Sequence, residues 1–417
     1  MSGLKINSNV TSASDLKLPV VSGIGSGTPD VLNRIHQMAR ASHTSNLWSI
    51  PTDCKRAIWI LESSVASLSP TGSVTGPQRE RRGWTGDAQT TSESAMMNFR
   101  MQGFYEKFLN DIRDDQLRFN GNHRNDTGAV ADVVPFDGVG GNPGCPVWQV
   151  VYVVLARNMF KHYGDELLPT LHKHYVGLNE LMAWFARHAD PDGLMPPKSC
   201  TEQACGACYG DWMGVDPESR NSGSSSLTPQ SSVTAFVHVL AMEYMSTIAS
   251  ALGNTADAAK WTRLHKHGQE MYHLRYFNAS VGGYSPCIGG MAPPGMSSHN
   301  PKEPMSNRSC HGTSSRGSQT SNAMALALGA PPTPAIAKVV ADNLAADVRG
   351  FGNKTTCGIT GLAWMLPQLE KYGHGELALA ILKGDQVSAA APFASSSEVT
   401  CQRLHSTRRS GTWSHRT

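Results

Sequence analysis

An all-α domain of antiparallel helix pairs is the fold this sequence predicts. Apolar residues recur at helical spacing in one run after another, the runs come two by two across short glycine-containing breaks, and β-type alternation is nearly absent. Between the pairs lie long Gly/Pro/Ser-rich loops at 189–227 and 277–318, and long loops on a helical scaffold usually carry function. The expected architecture is an α/α barrel with loops from one end forming a cleft. Periodicity alone leaves a solenoid of helix pairs equally open.

Thr28-Pro29-Asp30 is a helix start, a capping hydroxyl followed by proline in the first turn. Val31, Ile35 and Met38 then mark one face of a helix ending near Ser45. After Asp87, a possible cap, Met97, Met101, Phe104, Phe108 and Ile112 line one face of a single helix reaching about Asp114. Residues 147–163 form the next helix, closed by Gly164, where a left-handed cap suits glycine. Its partner carries Leu171, Tyr175, Leu178, Met182 and Phe185. A further pair starts at Thr228-Pro229, runs through Val233, Phe236, Leu240, Tyr244 and Ile248 to Gly253, and returns from Thr255 to Tyr276. The remaining helices are expected at 319–329, 334–348, 358–372 and 374–383.

The 417 residues suffice for a large core, and charged residues make up only 17%, against roughly 25% in an ordinary soluble protein, so neutral polar groups must dominate the loops. The net charge of +3 comes from scattered Lys and Arg with no basic block, which argues against a nucleic-acid partner. A membrane partner is equally unexpected, because no apolar run reaches about 18 residues. The N-terminal stretch lacks the hydrophobic core of a signal peptide. Asn-X-Ser/Thr sequons beginning at Asn9, Asn125, Asn278, Asn307 and Asn353, with nine cysteines, fit a secreted parent protein without assigning a compartment. Cys205 and Cys208 have zinc spacing but no second His/Cys pair at matching spacing, so loop disulfides are expected rather than a metal, and no cofactor is expected.

One segment breaks the low-charge pattern: "PQRERRGWTGDAQ", residues 77–89, places Glu80, three arginines, Trp84 and Asp87 in front of a helix. Taken alone it reads as a solvated turn, with Asp87 as N-cap and Trp84 as core anchor. It also has what glycoside hydrolysis needs, a carboxylic acid to protonate a leaving oxygen and an indole to wall a pyranose.

The wider text chooses between them. "SNLWSIPTDC" at 45–54, the segment above, "YGDWMG" at 209–214, "GSQTSNAMALALG" at 317–329 and "LPQLEKYGHGELALAIL" at 366–382 together resemble the catalytic domain of α-L-rhamnosidases, glycoside hydrolase family 78. The resemblance spans residues 15 to 386 and implies an (α/α)6 barrel, a six-hairpin glycosidase that removes terminal L-rhamnose with inversion. It implies Glu80 as general acid, with Asp53, Arg79, Trp84 and Asp87 around the sugar. Trp148 and Trp212 match two further aromatic walls, although Gln149 and Val150 stand where the family has an acidic residue. Repulsion from Asp53 and Asp87 is expected to raise the pKa of Glu80 and keep it protonated near neutrality. The implied partner is a rhamnose-containing glycoside or polysaccharide.

The resemblance is interrupted twice. Family members write Asp-Cys-Pro-Gln-Arg-Glu without a gap, whereas residues 55–76 separate Cys54 from Pro77 here, as a lineage-specific loop or a translated intron. After Gln386 a basic, low-complexity tail, 387–417, replaces the family's continuation, and the family's general base and a late sugar-binding histidine have no counterpart. The expected organisation is therefore a stub of a preceding β-sandwich domain at 1–24, a C-terminally incomplete barrel at 25–386 and a disordered tail at 387–417. Three functions follow from this reading: a rhamnosidase impaired by its missing base, a non-catalytic rhamnoside-binding remnant or product of a misread gene, and an α/α-barrel glycosidase for another sugar. The intact "RERRGWTGD" speaks against the last.

Overall fold

The structure, a computed structural model, describes residues 28–46, 82–119, 127–136, 138–196, 208–214, 227–284 and 316–384. The chain divides into two compact units, residues 1–82 with 391–417, and residues 83–390. The expected stub at 1–24, the insert at 55–76 and the tail at 387–417 lie outside the described residues.

In the first unit the described element is α1, Thr28–Asn46, starting where the capping signal placed it. Ile35 and Met38, expected on its covered face, are exposed. A helical stripe in a sequence identifies a face but not what covers it.

The second unit is built of helix hairpins: α2 (Thr85–Asn98) with α3 (Gln102–Phe119), a short α4 (Pro146–Gln149) leading into α5 (Val151–Tyr163) with α6 (Leu168–His188), and α7 (Gln230–Ala251) with α8 (Thr255–Tyr276). Then come α9 (Gln319–Leu328) with α10 (Pro334–Gly350) and α11 (Ile359–Lys371) with α12 (Gly375–Lys383). Several starts are locally encoded. Asn254, Ser318 and Thr333 accept backbone N–H groups from Asp257, Ser321 and Ile336, satisfying donors that a helix N-terminus leaves open. Gly164 closes α5 at φ 58°, ψ −139°, a conformation even further from side-chain-bearing residues than the left-handed cap expected there. The strands among the described residues are an antiparallel pair of two residues each, β1 (Phe277–Asn278) and β2 (Gly283–Tyr284), beside an isolated bridge between Trp84 and Val133.

Burial sorts the helices into two layers. α7 and α9 are buried on nearly all sides, whereas α3, α6, α8 and α10 keep an exposed polar face. The inner helices α2, α5, α7, α9 and α11 touch in that order, and α11 returns to touch α2. That closure makes the unit a toroid and excludes the solenoid. By length and composition α7 passes for a membrane span, yet it is buried among its neighbours as the core helix of the ring.

The single helix expected from Asp87 to Asp114 is two. Phe99, extended at φ −142° and ψ 154°, ends α2, whose Ser/Thr-rich sequence supplies little apolar drive to continue. Met97 consequently faces solvent; Met101 is buried just before α3, whose buried face is Tyr105, Leu109 and Ile112, with Phe104 and Phe108 half-buried. A smaller correction falls at Val150, which separates α4 from α5 inside the expected 147–163 helix.

Two core histidines set an acid limit. His238 on α7 packs against Phe185, and His174 on α6 pairs its Nδ1 with the Tyr152 hydroxyl at 2.8 Å. Burial pushes both rings down to about 4. A folded value below the unfolded one means their stabilising contribution is complete above about pH 6.5 and is lost as pH falls towards 4. Asp132, pushed up to about 6 by burial, acts the other way, its contribution being complete below about 3.8 and lost as pH rises through 6. A His238→Leu variant isolates one histidine: it is expected to lose on the order of 1–2 kcal/mol less stability than the parent between pH 6.5 and 5. Urea titrations of both proteins at the two pH values measure this, and equal losses contradict it.

Candidate active site

The inner helices bring their N-termini to one end of the ring. The Thr228 and Ser318 hydroxyls, leading into α7 and α9, are hydrogen-bonded to each other at 2.7 Å. Gln319, opening α9, accepts from the Thr356 N–H at 2.9 Å in the segment that enters α11. Thr85, opening α2, donates its N–H to the Asp132 carbonyl at 2.9 Å. Partial positive charge therefore gathers at this end, and two buried carboxylates sit there.

Asp132 is the first. Its Oδ1 accepts from the Cys145 N–H at 2.7 Å, and its Oδ2 accepts from the Gly141 N–H at 2.7 Å and the Tyr209 hydroxyl at 3.2 Å. Burial raises its pKa to about 6, and these three donors oppose part of that rise. Asp211, fully buried, is the second. It accepts from Gly358 N–H, Gly361 N–H and the Thr320 hydroxyl at 2.9, 2.9 and 2.5 Å, which anchors the 208–214 segment on the N-terminus of α11. Burial raises its pKa against the pull of those bonds. A second anchor is the Ile359 N–H donating to the Trp212 carbonyl at 2.8 Å.

Between these anchors lies an aromatic cluster centred on Tyr209. Trp148 lies 4.6 Å from it at 30° between planes, Trp212 5.2 Å at 82° and Trp84 6.1 Å at 87°. Each indole arrives by a different route. An isolated bridge between Trp84 and Val133 holds the first, α4 carries the second, and the α11 anchor holds the third. A disulfide between Cys145 and Cys208 joins the residue before α4 to the residue before Tyr209, so Cys208 is a disulfide partner and not half of a zinc pair. Cys357 is a buried free thiol whose pKa burial pushes up to about 12.

The structure thus brings together Trp84, Trp148 and Trp212. Asp87 sits exposed in the first turn of α2, favourable for the helix dipole, while Trp84 and not Asp87 holds the N-cap position and makes no side-chain cap bond. Asp53, Arg79 and Glu80 lie outside the described residues. Gln149, set against an acidic family position only by the sequence resemblance, is fully buried and spans the Val130 N–H and the Gly144 carbonyl. Sequence reasoning missed Asp132, Tyr209 and Asp211 as site-building residues. The last two lie inside the quoted "YGDWMG", whereas Asp132 has no local signal, since it meets Tyr209 across 77 positions.

Gly86 is required by close approach. A Cβ there would lie 2.2 Å from Trp148 Cε2, inside the indole. Alanine normally stabilises a helix by roughly 1 kcal/mol relative to glycine. Gly86→Ala is expected to reverse that sign and cost about 1–3 kcal/mol, the usual scale of overpacking. Thermal unfolding with tryptophan emission as probe checks both the loss and the displaced indole.

Fold and site define a class, a closed ring of helix hairpins with an aromatic cluster at the inner-helix N-termini. Residues 56–389 match the bacterial alpha-L-rhamnosidase 6 hairpin glycosidase domain, and the chain belongs to that family. An alpha-L-rhamnosidase of Streptomyces avermitilis is 24% identical over 357 residues, covering 84% of this chain and 26% of the relative. The structure of alpha-L-rhamnosidase from Dictyoglumus thermophilum superimposes with a TM-score of 0.63 at 25% identity, covering 88% of this chain and 33% of that one. A Streptomyces avermitilis alpha-L-rhamnosidase complexed with L-rhamnose shares the fold with a TM-score of 0.55 at 22% identity, covering 76% and 24%. The chain spans about a quarter to a third of the length of these proteins.

Proposed function

We propose that residues 25–386 are the scaffold of an α-L-rhamnoside hydrolase, which removes terminal non-reducing L-rhamnose from a glycoside or polysaccharide with inversion. Glu80 acts as general acid, Asp53, Arg79 and Asp87 hold sugar hydroxyls, and Trp84, Trp148 and Trp212 wall the ring. The observation that carries this reading is the convergence on Tyr209 of the three tryptophans that the resemblance implies, Trp84, Trp148 and Trp212, in a chain belonging to this family.

In the proposed step the Glu80 carboxyl gives its proton to the glycosidic oxygen as the bond to the anomeric carbon breaks. Water attacks the opposite face and loses its proton to a second carboxylate about 6.5–9.5 Å from the acid. The resemblance assigns no such residue in this sequence, and Glu398 lies in a stretch without helical periodicity. A base must be held within hydrogen-bond reach of its water. We therefore propose that this chain binds rhamnosides but turns them over poorly, with 1–24 a β-sandwich stub, 55–76 an atypical insert and 387–417 a non-family tail. That same lack of a base favours the second reading, a non-catalytic rhamnoside-binding remnant or the product of a misread gene.

The test compares residues 1–417 with a version lacking 55–76 and carrying the family's C-terminal continuation, on an aryl α-L-rhamnoside. Activity in the restored version alone supports the reading. Equal activity in both means that a base exists in residues 1–417, and activity in neither on any rhamnoside rejects the proposed reaction.

A further inference from the structure

We propose that Asp132 and Tyr209 form a positioning pair for the sugar subsite: the carboxylate fixes the phenol, and the phenol ring sets the orientation of Trp84, Trp148 and Trp212. The inference rests on the rhamnoside-binding reading above and adds two residues that the motif resemblance did not supply.

The shared ring is the starting point. Tyr209 meets Trp84 and Trp212 nearly edge to face and Trp148 at a shallow tilt, so a rotation of its plane disturbs three contacts at once. Its hydroxyl has a built partner. Asp132 is 3% exposed, and backbone N–H groups of Gly141 and Cys145 hold its two oxygens, which leaves the carboxylate no freedom to follow a moving phenol. The chain on both sides of Tyr209 is fixed as well. Cys208 is bonded to Cys145, and Asp211 is tied to α11 through Gly358 and Gly361. A phenylalanine at 209 keeps every ring contact, so the hydroxyl is left with orientation as its role. A carbohydrate face stacked on indole demands this, since binding groups need support to within about 10–20° of the productive geometry.

The test uses the whole chain, L-rhamnose as probe and isothermal titration calorimetry as readout, with Tyr209→Phe, Asp132→Asn, the double variant and Tyr209→Leu. Each of the first two is expected to weaken L-rhamnose binding about five- to tenfold, and the double variant no more than either, because both remove one coupled interaction. The melting temperature of Tyr209→Phe is expected within about 3 °C of the parent, which separates positioning from general destabilisation. Tyr209→Leu, which removes the ring, is expected to bind more weakly than Tyr209→Phe. Parent affinity in Tyr209→Phe, or additive losses in the double variant, overturns the pair. If the parent itself does not bind L-rhamnose, the rhamnoside reading fails separately, and near-UV circular dichroism decides. Matching changes in the tryptophan bands of Tyr209→Phe and Asp132→Asn support the pair, and unaltered bands in both overturn it.

Discussion

Glu80→Gln, introduced into the restored version of the chain, is expected to lower turnover of an unactivated rhamnoside by about 10²–10⁴-fold while leaving L-rhamnose affinity largely intact. The amide is isosteric with the acid and keeps its hydrogen-bonding shape, but it has no acidic proton to give the leaving oxygen. The loss is expected to shrink sharply on a nitrophenyl rhamnoside, whose leaving group departs without protonation. That contrast between substrates is diagnostic, because a residue that merely binds sugar lowers both rates alike. Equal losses on both substrates, or near-normal rates on the unactivated one, remove Glu80 from the role of acid.

Asp211→Ala is the second large effect, and it acts through the fold. The substitution leaves the N–H groups of Gly358 and Gly361 and the Thr320 hydroxyl without their acceptor, in a place water does not reach. Unsatisfied buried donors cost about 1–3 kcal/mol each, and part of this is offset because a buried carboxylate no longer has to be desolvated. A net loss of roughly 3 kcal/mol is expected, a large fraction of a domain's stability. Because Asp211 anchors the segment that carries Tyr209 and Trp212, tryptophan emission is expected to shift in the folded variant too. Chemical denaturation at constant pH measures the first effect, and the native-state spectrum measures the second. A variant as stable as its parent contradicts the anchoring role.

The helix pairs were legible because each carries a period of 3.6 and most carry a local start or stop. Thr28-Pro29, Thr228-Pro229 and Gly164 mark real boundaries. Where the sequence misled, the deciding physics was not local. Met97 and Met101 continue one apolar spacing across the Phe99 break, so the pattern could not show that one ends a helix facing solvent and the other leads, buried, into the next. Ile35 and Met38 form a stripe whose exposure only the fold reveals. In the site, Trp84 and Trp212 lie within the quoted motifs and Trp148 outside them, 64 positions before Trp212, a distance that periodicity cannot bridge. Asp132 was invisible for the same reason in a stronger form. Its backbone donors Gly141 and Cys145 lie 9 and 13 positions on in the same loop, but Tyr209 is 77 positions away, a pairing that no window of sequence reports.

Where the sugar binds is the most direct test of rhamnoside recognition at the tryptophan cluster. A crystal structure of residues 1–417 soaked with L-rhamnose is expected to show the pyranose against the Tyr209-centred cluster of Trp84, Trp148 and Trp212, with the Glu80 carboxyl facing the anomeric oxygen. L-Rhamnose bound elsewhere on the barrel, with that aromatic cluster empty, would contradict it.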